Sequence, residues 1–76
     1  MKDLVTYIAK SLVDRPESVD VRVSEQRSEV ILELTVANPD MGRVIGKGGR
    51  VVNAIRSLVA VAAERQNKRA SLEIID

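Results

Sequence analysis

Seventy-six residues make room for one hydrophobic core and leave none for a second domain or a large substrate cleft, and a chain 45% apolar and 30% charged has a folding composition. Cys and His are both absent, which removes thiolate and imidazole metal sites, disulfides, Cys nucleophiles and His general bases. The formal net charge of +1 is uninformative until its distribution along the chain is considered.

The segment from Asp3 to Asp14 puts Leu4, Val5, Ile8 and Leu12 on one stripe at helical spacing, which predicts an amphipathic helix of about three turns. Pro16 disfavours helical angles at Arg15, so the helix is expected to stop near Asp14. Val19, Val21 and Val23 then alternate with polar residues, and so do Val30, Leu32, Leu34 and Val36. This period of two predicts two strands, joined as an antiparallel hairpin around Arg27 and Ser28. Asn38, Pro39 and Asp40 read as a helix start, with Asn38 as cap, Pro39 in the first turn and Asp40 near the positive dipole end.

That helix is short, Met41 to Ile45, because Gly46, Gly48 and Gly49 follow at once. A longer helix begins at Gly49 or Arg50 and runs to about Gln66, with Val51, Ile55, Leu58 and Ala62 expected inward, flanked by Val52 and Val59. Asn67 is its expected C-terminal cap, and Ala70, Leu72 and Ile74 alternate as a last strand. The order is helix, strand, strand, short helix, glycine loop, long helix, strand. A crossover holding two helices between the second and third strands yields a parallel pair with a right-handed connection. The predicted fold class is α+β, a three-stranded mixed sheet with three helices on one face, as one domain over residues 1–76.

Residues 42–69 hold Arg43, Lys47, Arg50, Arg56, Arg65, Lys68 and Arg69 against Glu64 alone, while the rest of the chain carries five cations against ten carboxylates. The basic excess therefore surrounds the run Gly42-Arg43-Val44-Ile45-Gly46-Lys47-Gly48-Gly49-Arg50. A Walker A loop needs four residues between its first Gly and the Gly-Lys pair and then Ser or Thr; here three intervene and Gly48 follows Lys47. A dinucleotide fingerprint must follow a strand in a larger doubly wound sheet, whereas this loop joins two helices. What remains is Gly-x-x-Gly, Gly46 to Gly49, whose backbone can approach a ligand closely. The amides at the start of the following helix, with Lys47 and Arg50 beside them and Arg43 just before, suit a nucleic-acid phosphate. Bases are read elsewhere, and Ile45, Val52 and Asn53 are the nearest candidates.

This loop, with Val44-Ile45 before it and the helix and strand order around it, resembles the K-homology (KH) domain family, in the α-β-β-α-α-β order of its prokaryotic type II form. A chain of this size is most similar to the small bacterial KH-domain RNA-binding proteins of the KhpA type. The resemblance implies a Gly-x-x-Gly loop that clamps about four nucleotides of single-stranded RNA, without catalysis, in post-transcriptional regulation or RNA chaperoning. It implies self-association as a homodimer and pairing with a KhpB-type protein. Position by position, Gly46 and Gly49 frame the loop, Lys47 and Gly48 form its variable middle and Ile45 is the apolar residue beside the groove.

No cofactor is expected, and single-stranded DNA is not distinguished from RNA. With Tyr7 as the one aromatic, base stacking on rings is not the expected mode; a partly buried place for Tyr7 is. Arg56 and Arg65 read either as an extension of the phosphate track or as solubility residues. Asp14, Glu17 and Asp20 read as solvated carboxylates. The run from Leu58 to Ala63 exceeds one buried stripe, so it either packs a partner helix or belongs to a broad core face. The competing function is a KH-like protein-interaction adaptor that has lost nucleic-acid binding. With no apolar run of membrane-spanning length and no basic leader before an apolar stretch, the chain is expected to be soluble and cytoplasmic, without membrane contact.

Overall fold

The computed structural model describes residues 1–75; Asp76, the last residue of the expected domain, lies outside them. The chain forms helix α1 (Lys2–Leu12), strands β1 (Asp20–Gln26) and β2 (Glu29–Thr35), helix α2 (Met41–Ile45), helix α3 (Arg50–Glu64) and strand β3 (Arg69–Ile75). Strand order is β1-β2-β3, with β1 antiparallel and β3 parallel to the central β2. The expected mixed sheet is present because the hairpin turn is short and the connection from β2 to β3 contains two helices. Arg27 takes a φ of 43° in that hairpin, a left-handed position filled without glycine.

Alternation decides which face of the sheet is covered. Val21, Val30, Leu32, Leu34 and Leu72 are buried with Val5 and Ala9 of α1, Val44 of α2 and Val52, Ile55 and Val59 of α3. Arg22, Glu29, Ser71 and Glu73 stand exposed on the opposite face. All three helices lie on the covered side. Among the described residues no helix is long and apolar enough to cross a membrane.

Several expectations are corrected in detail. Helix α1 ends at Leu12 rather than Asp14, and its deepest residues are Val5 and Ala9. The buried line of α3 is Val52, Ile55, Val59 and Ala63, one step round from the expected one, and Leu58 is 53% exposed. The reason is that Leu58 and the Val52–Val59 pair compete for one inward face, and Val52 and Val59 fit the sheet side set by β3. Tyr7 is 71% exposed. Asn67 takes a φ of 57° and closes α3, with its N–H donating to Glu64 O and that of Lys68 to Ala63 O. This pair of bonds is a Schellman motif, with Asn in the place glycine usually fills.

Asn38, Pro39 and Asp40 form a 3₁₀ turn before α2, and Asn38 makes no side-chain cap. Asp40 is only 2% exposed; its carboxylate accepts the N–H groups of Asp14 at 3.2 Å and Arg15 at 3.1 Å, and Arg43 Nε lies 3.8 Å away. Arg43 also reaches Asp14 at 3.1 Å. The end of α1 is thereby tied to the start of α2. Asp40→Ala is expected to cost about 1–3 kcal/mol, because the amides of Asp14 and Arg15 lose a charged acceptor. Urea denaturation reads this as a lowered midpoint at constant slope, and an unchanged midpoint would rule the tie out.

Candidate nucleic-acid interface

Gly46 ends α2 at φ 75°, ψ 167°, a conformation open essentially to glycine alone. A Cβ there would lie 2.5 Å from Val51 Cγ2 and 2.8 Å from Val51 N, so the loop backbone rests directly on the first turn of α3. Lys47–Gly49 make a single 3₁₀ turn, with Gly48 at φ 64° and Gly49 at φ 79°. Gly48 has open space around it, whereas Gly49 lies against Asn53 and Val52.

The hydrogen bonds show which loop amides are free. Gly46 N–H donates to Gly42 O, Gly49 N–H to Gly46 O and Arg50 N–H to Lys47 O. The N–H groups of Lys47 and Gly48 have no partner among the described residues. Both residues are exposed, so the two free donors belong to Lys47 itself and its neighbour, with Arg50 two residues beyond Gly48. Neither cation is paired with a carboxylate among the described residues.

Two of the remaining candidates sit apart from this tip. Arg43 is held by Asp14 and Asp40, so much of its charge is neutralised locally. Val52 is 5% exposed and belongs to the core, under the loop rather than beside a ligand. Ile45 is half-buried against the core, and Asn53 is exposed one turn into α3.

From Asn53 the surface continues into a groove between α3 and β3. Arg56 Nη1 donates to Asn53 Oδ1 at 3.2 Å and Arg56 Nε to Leu72 O at 3.3 Å. Beyond it Val59, Ala60, Ala70, Ser71 and Leu72 complete a depression of about 350 Å³. It runs along the free edge of β3, since β3 pairs only with β2. Its floor is aliphatic and its polar groups are the Arg56 guanidinium and strand backbone, a surface able to receive bases without rings to stack on. Of this lining the sequence marks only Arg56 as a ligand candidate. The others come from α3 and the strand that follows it, and pairing of β3 with β2 under α3 is what turns them into one lining.

A family model described as "KhpA/KhpB, KH domain" matches residues 2–74. The chain belongs to that family. The segment Gly46 to Gly49 joins α2 to α3. The chain is 50% identical over 76 residues to "RNA-binding protein KhpA" of Chlamydia caviae, covering all of this chain and 97% of the relative. It is 53% identical over 75 residues to the protein of that name from Clostridium perfringens, covering 99% of this chain and all of the relative. A third KhpA, from Borreliella burgdorferi, is 43% identical over 74 residues, covering 97% of this chain and 90% of that one. No solved structure matches the chain.

Proposed function

We propose that this KH chain is a non-catalytic RNA-binding protein of one domain, which holds single-stranded RNA by its Gly46–Gly49 loop and lays the bases along the groove between α3 and β3. The observation that carries this reading is the pair of amides on Lys47 and Gly48, unpartnered among the described residues and flanked by cations without a carboxylate partner there, about two helical turns along α3 from an aliphatic groove. A phosphate oxygen accepts both amides while Lys47 and Arg50 supply charge. The name "RNA-binding protein" borne by relatives near half identity supports the same ligand class. In this reading Lys47, Gly48 and Arg50 grip the backbone, Ile45 and Asn53 border the first base, and Arg56 reaches into the groove. Val52 supports the loop from beneath, and Arg43 fixes α2 on the Asp14–Asp40 tie.

The test is a titration of labelled single-stranded RNA by anisotropy at rising salt. Binding that engages two or three phosphates weakens about 7- to 18-fold between 50 and 200 mM salt, with a log–log slope near −0.7 per phosphate. A flat salt response would instead support the adaptor reading, in which an apolar surface takes a protein. Parallel titration of single-stranded DNA of the same sequence tests for contact with the 2′-hydroxyl.

The same reading includes a homodimer. Leu58 and Val61 are each 53% exposed and line up with exposed Ala54 on the solvent side of α3. Arg50, Ser57 and Glu64 follow one another at intervals of seven along the flank of this stripe. Antiparallel pairing of two copies of α3 about Ser57 sets each Arg50 against the other copy's Glu64, the sole carboxylate of α3, so charge and apolar surface are both self-complementary. A KhpB-type KH domain is the alternative occupant, since the family takes in both chains. Leu58→Asp is expected to shift sedimentation from dimer to monomer while the far-ultraviolet circular dichroism stays that of the parent, because the side chain is outside the core. A dimer undisturbed by Leu58→Asp would move the interface elsewhere.

A further inference from the structure

Twofold pairing along α3 constrains the RNA as well as the protein. Within one copy the ligand track has a direction. It starts at the Lys47 and Gly48 amides at the N-terminal end of α3, passes Asn53 and Arg56 and ends in the groove beside Val59 and Ala60. Stepping round α3 at 100° per residue from the Leu58–Val61 stripe, one meets Arg50, Ser57 and Glu64, and then Asn53, Ala60 and Arg56. The track therefore lies beyond the charged flank and clear of the stripe.

A twofold axis that pairs antiparallel helices stands perpendicular to both. It carries the flank of one helix to the same side of the other, so both tracks lie on one side of the dimer, and it reverses the direction of travel. Gly49 lies eight residues before Ser57, about 12 Å along the axis, so the two clamps stand about 24 Å apart along the helix pair.

We infer that the preferred ligand is a pair of single-stranded RNA segments running antiparallel, as the 5′ and 3′ unpaired arms do where they leave the base of a stem. This rests on the loop and dimer readings above and narrows them to a substrate class. One straight strand fills only one track in the right direction, and it must turn back on itself to fill the other. Two arms leaving a stem already have opposite directions, so binding of the first arm presents the second at high effective concentration.

The experiment compares three labelled RNAs on the intact protein: a stem with a 5′ and a 3′ arm, the same stem with one arm, and the two arm sequences joined directly end to end without a stem. Arms of about eight nucleotides give each clamp twice the four it holds. The two-armed RNA is expected to bind at least about tenfold more tightly than either of the others. In Leu58→Asp, expected to be monomeric, that advantage falls to about the twofold given by having two equivalent arms, while one-armed binding is unchanged. Equal affinity for the two-armed and one-armed RNAs, or for the two-armed and joined RNAs, overturns the inference with the loop reading intact. Failure to bind the one-armed RNA at all overturns the loop reading and this inference together. A two-armed advantage that survives in monomeric Leu58→Asp overturns the twofold basis of the inference.

Discussion

Lys47→Asp with Gly48→Asp is expected to weaken binding of single-stranded RNA by about a hundredfold or more while the far-ultraviolet circular dichroism stays that of the parent. Hydrogen bonds to a charged group contribute about 1.5–3 kcal/mol each, and the variant sets carboxylates across both amide donors and removes the ammonium beside them. A loss of about 3–5 kcal/mol follows from two such contacts, and it includes the repulsion of like charges. The fold tolerates the change for a geometric reason. Lys47 is exposed, and a Cβ on Gly48 meets nothing within 4 Å. Gly48 does have φ 64°, so Asp there carries backbone strain of about 1 kcal/mol, and Asp is among the residues that visit this region. RNA held equally well by the folded double variant would remove the loop from the site.

Gly46→Ala should have the opposite signature, losing the fold along with the binding. Its backbone at φ 75°, ψ 167° costs a side-chain-bearing residue about 1–3 kcal/mol. The added methyl would also sit 2.8 Å from Val51 N, which belongs to the α3 backbone and has no rotamer to move to. Together these make a loss of about 3 kcal/mol or more, large against the stability of a domain this small. Thermal melting should show a drop of more than 10 °C. Gly48→Ala is the control, since its added methyl meets no neighbour; equal melting points for the two variants would refute the account of Gly46.

Much of this was legible in the residues. The period-two runs at Val19–Val23 and Val30–Val36 located β1 and β2, and Gly46 to Gly49 marked the only break between two helical patterns. The failures share a cause. Sequence periodicity shows that α3 has an apolar side, but with apolar residues at Val51, Val52, Leu58, Val59, Val61 and Ala62 it does not show which direction is inward. Packing against β3 settles it in favour of Val52, Ile55, Val59 and Ala63. Asp40 was hidden for a related reason. An acidic residue after Asn-Pro fits a helix start, and nothing local indicates that Asp14 and Arg15 will bring their amides to it from the other side of the hairpin. Arg43 follows from Asp40: it was assigned to the ligand for its charge, and the structure places two carboxylates next to it.

The parallel pairing of β2 with β3 has a kinetic side. Glu29 aligns with Arg69, so the entire stretch holding α2, the glycine loop and α3 must be closed into a ring before the first of those ladder bonds can form. The β1–β2 hairpin closes over a short turn at little entropic cost, whereas the β2–β3 ladder carries the cost of closing that whole ring. In the proposed reading, RNA bound at the loop favours the whole native form by mass action, so it protects the far edge at β1 as well as the loop it touches.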